Sequence, residues 1–197
     1  MPNVNDVRIG APEQRTTGAI KHAPVGTTLP VLTDIAVSGV TLDPAFVGDE
    51  YVSEDGLTLS PSMSTTNIKD WSGTVVRKLL EEFDGALNWS MISTNENTLK
   101  IAFGDDYVTS AAASLTHGAQ VRAALGAHLP DPQSWVFLMK DGDARVVIVV
   151  PNGQITEVGD VTFVSNNAIG WQVTLSTYPD SDGNSIYIMT DDGVVSQ

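Results

Sequence analysis

The fold is decided by the stretch Ala144-Arg145-Val146-Val147-Ile148-Val149-Val150, in which β-branched residues predominate. A run that is apolar on both faces is typical of a strand covered on both sides, as at the centre of a sandwich. The run is too short for a buried helix and far shorter than the ~20 residues that span a membrane. The sequence therefore predicts a buried central strand here.

The residues that follow predict a three-stranded antiparallel meander. Pro151-Asn152-Gly153 indicates a break and a turn, Gln154–Val164 a second extended segment, and Asn166-Asn167 another turn. Ile169–Ser176 then alternates apolar with polar, uncharged residues, which is the pattern of a strand with one core face and one polar face. This polar face is the first functional clue.

One helix is predicted at about 93–103. Ser93 and Glu96 have the spacing of a capping box, Glu96 and Lys100 are placed for an i,i+4 ion pair, and Gly104 suits the C-terminal end. A helix this short is not stable alone, so it must pack an apolar stripe against the strands. The stripe consists of Leu99, Ala102 and Phe103.

Short strands and turns fill most of the remainder. Asp141-Gly142 predicts one hairpin and Asp84-Gly85 a second, while Pro61 predicts the end of a brief strand at 57–60. The region 107–132 is the least defined by sequence. A strand or a helix is compatible with its residues 111–115; we favour a strand there, a loop at 118 and a strand at 120–125.

The length of 197 residues predicts a single domain. We expect an extended arm at 1–30, an interaction loop at 31–50, a β-sandwich core at 51–190 and a tail at 191–197. Cysteine is absent, which removes disulfides and thiolate chemistry. The polar N-terminus, Met1–Gly10, has no apolar signal segment.

Charge is the strongest feature of the composition. Ten Lys and Arg stand against 24 Asp and Glu, for a formal net charge of -14. The last basic residue is Arg145, so the C-terminal quarter is acidic. Nucleic-acid affinity depends on Lys and Arg that neutralise phosphates, so this chain is expected to repel a polyanion rather than to bind it.

Catalytic motifs are not found, and the sequence predicts no enzyme, no cofactor and no metal site. His22, His117 and His128 are far apart and are expected on loops or the surface, and no triad spacing is present. Asp180–Asn184 superficially resembles a calcium loop but lacks the EF-hand spacing, so a plain turn is expected. The tryptophans are expected in the core; they are Trp71, Trp89, Trp135 and Trp171.

An ordered set of short stretches resembles the major tail tube protein of long-tailed, non-contractile bacteriophages. No single motif is strong, but together they cover most of the chain in the right order. The matching stretches are Asn5–Gly10, Gly18–Ile20, Ala23–Pro30, Tyr51–Leu57, Phe103–Asp106, Pro151–Gly159 and Tyr178–Asn184.

The resemblance implies a mainly β fold, a two-sheet antiparallel β-sandwich with one short α-helix, an extended N-terminal arm and a long interaction loop. It also implies hexameric rings that stack into a virion tail tube, with the arm and loop bridging neighbouring subunits. Tape measure and tail-end or terminator proteins are the further partners implied. DNA would pass through without specific binding and no membrane would be involved. Synthesis would take place in the cytoplasm of the host bacterium.

Two sets of site residues follow as hypotheses. The wall of such a tube should be polar or acidic and poor in Lys and Arg, so that DNA does not adhere. Candidate lumen-lining residues are Thr156, Asp160, Thr162, Gln172, Thr174 and Ser176. Candidate inter-subunit residues of the arm are the basic residues Arg8, Arg15 and Lys21.

Other classes stay open at this point. The same composition suits a β-sandwich binding or adhesion module of the carbohydrate-binding type, with exposed tryptophans and a calcium turn at Asp180–Asn184. It also suits the inner tube of a contractile injection system. Electron microscopy separates the module from a tube protein, because a module gives globular monomers and a tube protein gives rings or filaments.

Overall fold

The computed structural model describes residues 7–13, 18–48 and 50–195. The described part is mainly β with one α-helix, as predicted. The strands are β1 (Ile20–Pro24), β2 (Ile35–Ala36), β3 (Gly39–Val40), β4 (Val52–Lys69), β5 (Val75–Met91), β6 (Val108–Ala111), β7 (Gln120–Ala123), β8 (Gln133–Asp141), β9 (Ala144–Val158), β10 (Trp171–Tyr178) and β11 (Tyr187–Asp191), and the helix is α1 (Glu96–Phe103).

One antiparallel sheet contains most of the strands, in the order β1-β8-β9-β10-β5-β4. β11 pairs with the first half of β9, opposite residues 145–149, and β10 pairs with its second half, opposite residues 152–158. Two small hairpins, β2–β3 and β6–β7, lie outside this sheet. No helix in the described part of the chain has the length and apolar character needed to cross a bilayer.

The predicted central strand exists, but the predicted meander around it is wrong. Pro151-Asn152-Gly153 does not turn the chain, because β9 continues through it to Val158. Opposite this point the pairing with β8 skips one residue, passing from Trp135↔Val150 to Gln133↔Gly153. Such a bulge leaves one residue of the strand without a ladder bond, which is where a proline is tolerated. Residues 159–164 are not a strand.

The core has two parts because β8 and β9 are covered on both faces. One face packs Trp135, Phe137, Ile148 and Val150 against β5, β10 and α1, with the buried Trp89 on the opposing side. The Trp89 ring lies 5.5 Å from Trp135 and 5.4 Å from Phe137. The other face packs against the segment 29–47; its members are Ala23, Ile35, Phe46, Val136, Leu138, Val147 and Val149. The first half of β9 therefore belongs to one layer of the sandwich and the second half to the other.

A buried cation attaches the N-terminal segment and the β2–β3 hairpin to β9. The Arg145 side chain is fully buried, and its Nη1 lies 2.6 Å from Oε2 of Glu13. Its Nε and Nη2 donate hydrogen bonds to the carbonyls of Ala36 and Val37, at 2.7 and 2.6 Å. One side chain thus joins three segments that are distant in sequence.

The hairpin predicted at Asp84-Gly85 is also wrong, since β5 runs through both residues and the turn lies at 70–73. Gly85 instead permits a close approach: a Cβ there would lie 2.6 Å from Thr177 Oγ1 and 2.8 Å from Ile186 Cδ1. Pro61 does not end β4, because an edge strand tolerates proline where its nitrogen needs no partner. The result is a long β4–β5 hairpin whose outer half, beyond Ser60 and Gly85, is exposed.

Helix α1 is confirmed with a different cap. Its N-cap is Asn95, whose Oδ1 accepts a hydrogen bond from the Thr98 amide at 2.8 Å. Ser93 instead accepts from the Tyr51 amide. The Glu96–Lys100 ion pair forms at 2.8 Å, and this pair lowers the pKa of Glu96 and raises that of Lys100.

Smaller expectations divide between confirmed and wrong. The hairpin at Asp141-Gly142 is confirmed. The strand expected at 111–115 is wrong, because β6 ends at Ala111 and the chain is irregular beyond it, whereas the strand expected at 120–125 is confirmed as β7. Trp89 and Trp135 are core residues, but Trp71 is fully exposed at the hairpin turn. His22 is not on a loop, because it lies in β1 with its ring 5.2 Å from that of Trp135.

Replacing Arg145 with Ala should lower the free energy of unfolding by about 3–5 kcal/mol, because it leaves the Glu13 carboxylate buried without its cation. Lys140 is directly opposite Arg145 on β8 and is half-exposed. K140A is therefore the matched control and should stay within about 0.5 kcal/mol of wild type. Equal effects of the two substitutions in urea unfolding would contradict this role of Arg145.

Replacing Gly85 with Ala should cost about 1–3 kcal/mol, because the added methyl group overlaps Thr177 and Ile186. Gly118 is the control, since nothing lies within 4 Å of a Cβ placed there. G118A should change stability by less than about 1 kcal/mol. Thermal unfolding of both variants checks this, and an unchanged midpoint for G85A would refute the close approach.

Candidate assembly surfaces

A polar surface covers one face of four adjacent strands, β9, β10, β5 and β4. Alternation along each strand directs hydrophobic side chains to the core and small polar side chains to the opposite face. We call this surface the polar face; its members are Thr58, Ser60, Ala86, Asn88, Ser90, Gln154, Thr156, Gln172, Thr174 and Ser176. None of these ten residues is charged.

Hydrogen bonds across the strands hold the polar face together. Thr174 Oγ1 donates to Asn88 Oδ1 at 2.7 Å, and the hydroxyls of Thr156 and Ser176 are 2.8 Å apart. Glu157, directly opposite Thr174, adds an exposed carboxylate beside the polar face. The same face continues outward on the hairpin with Ser62 opposite Asp84 and Ser64 opposite Glu82. The continuation is therefore hydroxylic and acidic.

The structure brings together four of the six candidate lumen residues. Thr156, Gln172, Thr174 and Ser176 lie on the polar face, whereas Asp160 and Thr162 lie in the irregular segment after β9. Thr58 and Ser60 also lie on this face but are not among the candidates predicted from sequence. The alternation Leu57-Thr58-Leu59-Ser60 signals them, but Pro61 predicts the end of that strand.

The basic arm residues occupy different environments. Lys21 is buried in β1, and its ammonium donates to the Gly48 carbonyl of the same chain. Arg8 is half-exposed, and Arg15 lies outside the described residues. The arm is tied to the domain by backbone hydrogen bonds from Glu13 to Leu138 and from Lys140 to Ala11.

Two strand edges beside the polar face have no partner strand among the described residues. The first is the outer edge of β4, the last strand of the sheet. Gly56–Ile68 on this edge contains no charged residue, although charges usually protect an exposed edge from pairing. The second is residues 154–158 of β9, where pairing with β8 has ended at Gly153. A cavity of about 230 Å³, lined by Phe103, His128 and Val158 among others, adjoins this edge.

The exposed half of the hairpin also carries apolar side chains. Met63 and Phe83, cross-strand partners on the core side of the ribbon, are 68% and 40% exposed, and Leu80 is 62% exposed. A two-stranded ribbon is marginally stable in water by itself. Exposed apolar groups on such a ribbon are typical of an interaction surface.

The acidic turn at 180–184 is a plain turn in this structure. Asp180 Oδ1 accepts from the backbone amides of Asp182 and Asn184 at 2.9 and 3.0 Å, and its Oδ2 accepts from the Tyr187 hydroxyl at 2.7 Å. The Tyr187 hydrogen bond, followed by that from Asn184, lowers the pKa of Asp180. The described residues contain no group of three or more His, Asp or Glu side chains placed to hold a metal ion.

These features define the class: a β-sandwich protein with open sheet edges, a polar sheet face and an exposed apolar ribbon. Residues 3–196 match the phage tail tube protein family, and the chain therefore belongs to that family of structural components of the phage tail. No curated protein sequence matches it significantly.

Two solved structures are similar to this chain over most of its length. The tube-terminating cap of the anti-feeding prophage is 13% identical, covers 94% of both chains and gives a TM-score of 0.49. A chain of the native gene transfer agent virion is 10% identical; the alignment covers 83% of this chain and 99% of that chain, with a TM-score of 0.38.

The lowered pKa of Asp180 predicts an acid-dependent contribution to stability. A carboxyl whose pKa is depressed on folding stabilises the native state above its ordinary value of 3.8, and this contribution is lost as the pH falls through the folded pKa. The melting temperature of D180N should therefore lie below that of wild type at neutral pH, and the difference should shrink below pH 3.8. A difference that is constant with pH would contradict this.

Proposed function

We propose that this chain forms the wall of a phage tail tube as stacked hexameric rings, with the polar face lining the channel through which DNA enters the host. The observation that carries the proposal is the juxtaposition of four strands with uncharged polar side chains between two unpaired edges. Family membership supports the tube, and the two edges support its closure.

Ring closure follows from the chemistry of the edges. The outer edge of β4 in one copy can pair with residues 154–158 of β9 in the next, so that the four-stranded faces join into a continuous barrel. The two edges differ, so the contact is heterologous, and heterologous contacts generate closed rings when the rotation permits. Closure also removes sheet edges that otherwise invite uncontrolled pairing.

Passage of DNA then depends on the absence of cationic side chains from the wall. A wall of hydroxyls and amides with Glu157, Asp84 and Glu82 nearby offers no cation to a phosphate, so DNA is not retained by ion pairing. The role is structural rather than enzymatic. Tape measure and terminator proteins are the partners expected inside and at the end of such a tube, and Arg8 and Arg15 are proposed to contact neighbouring subunits. Assembly into virions follows synthesis in the cytoplasm of the host.

Electron microscopy and native mass spectrometry of the purified chain provide the first test. The proposal expects rings of six copies and filaments with an open channel. A glycan-binding monomer would favour the alternative of a carbohydrate-binding module and would overturn the proposal.

A charge placed on the polar face provides the second test. Gln172 is exposed, as the second residue of β10, so Q172R and Q172E should both fold. In assembled tubes Q172R places one cation per subunit in the channel. It should retain DNA in a salt-dependent way, and phage that carry it should deliver DNA more slowly.

Q172E is the control of similar size and opposite sign. It should release DNA as wild type does. Equal DNA retention by tubes of Q172R and Q172E would show that this residue does not face the channel.

A further inference from the structure

The turn of the β4–β5 hairpin combines an aromatic ring with a local excess of positive charge. We call residues 68–78 the hairpin tip. Trp71 is fully exposed there, and Lys69, Arg77 and Lys78 are exposed around it. The only acid of the tip, Asp70, accepts hydrogen bonds from Ser72 and Thr74 within the turn. The tip therefore carries a formal charge of about +2 on a chain of net charge -14.

A groove elsewhere on the chain has the complementary character. It lies between residues 29–33 and β11 and has a volume of about 720 Å³, within the range of about 300–1,000 Å³ typical of pockets that hold drug-sized groups. We call it the β11 groove. Its apolar wall includes Leu29, Leu32, Ile188 and Met189, and two acids, Asp180 and Asp182, line it as well. No Lys or Arg is among its lining residues.

The two features match in chemistry but do not meet within one chain. Trp71 is fully exposed, so it does not occupy the β11 groove of its own chain. An indole in an apolar groove, with Lys or Arg beside carboxylates at its border, is the arrangement of an interface hot spot. The charge complementarity favours a second copy of the same chain as the occupant.

The direction of the hairpin indicates where that second copy lies. In a ring that closes through sheet edges, neighbouring copies are joined along the hydrogen-bonding direction, which is perpendicular to the strands. The hairpin instead projects along the strands, and the nine residues from Pro61 to Lys69 extend it by roughly 30 Å. Barrel strands tilt by about 35–45° from the axis, so this projection has a large axial component.

We propose that the hairpin tip of one copy binds in the β11 groove of a copy in the adjacent ring, with Trp71 in the apolar part and the tip cations beside Asp180 and Asp182. This rests on the proposed function and adds the contact that stacks the rings. The contact is heterologous, because each copy offers one tip and one groove. It therefore repeats along the tube without closing on itself.

Cross-linking tests the contact directly, because the native chain contains no cysteine. A chain that carries S72C beside Trp71 and L32C in the groove should, as assembled tubes treated with a short bismaleimide, give a ladder of covalent multimers. The matched control is S114C with L32C. Ser114, like Ser72, is an exposed serine whose hydroxyl contacts a threonine two residues later.

The control chain should stay predominantly monomeric after the same treatment. Absence of the ladder from S72C/L32C tubes, or an equal ladder from the control, would overturn the inference while leaving the tube itself in place. A wild-type chain that forms neither rings nor filaments would instead overturn the proposed function.

Truncation of the aromatic ring gives an independent measurement. W71A should leave the melting temperature of the monomer unchanged, because the ring is fully exposed in the single chain. It should raise the concentration needed for filaments by at least about tenfold while rings still form. Filaments at the wild-type concentration would contradict the inference. D182K should likewise weaken stacking, and K78D combined with D182K should restore part of it.

Discussion

A single strand of 15 residues, Ala144–Val158, belongs to both layers of the sandwich, and the other elements are placed by it. Its first half pairs with β8 and β11, and its second half with β10. The bulge at Pro151 is the point at which the strand passes from one layer to the other. Because the strand alternates with period two, this passage fixes which side chains enter the core and which form the polar face.

That arrangement buries some surfaces within the domain and leaves others exposed. The domain is completed internally where Arg145 binds Glu13 and the β2–β3 hairpin. It is left incomplete along β4, where an uncharged edge and the apolar residues Met63 and Phe83 remain exposed. Under the proposed function, surfaces of this kind contribute their free energy only when copies of the chain associate. The long hairpin is therefore best understood as part of an interface.

The sequence predicts those features that depend on local pattern. It does not predict where a strand continues or ends when that depends on the neighbouring strand. The run at 144–150, the turn at Asp141-Gly142 and the Glu96–Lys100 pair are visible in neighbouring residues. Pro61, Pro151 and Gly85 predict breaks, because proline and glycine usually interrupt strands. These three residues do not interrupt their strands here. Pro61 lies at an unpaired edge, Pro151 at a bulge and Gly85 at a close approach to Thr177, and each of these conditions is created by segments distant in sequence. The clean alternation of β10 predicts its part of the polar face, whereas Pro61 hides the part on β4. The sequence wrongly predicts Asp160 and Thr162 in a strand, because β9 ends at Val158.

The most direct measurement of the central claim is a cryo-EM reconstruction of the tube assembled from the purified chain, at a resolution that shows side chains. The account predicts that Thr58, Asn88, Gln172, Thr174 and Ser176 project into the channel and that β4 pairs with the end of β9 in the next copy. A channel lined by other strands, with these five side chains directed to the outside, would contradict it.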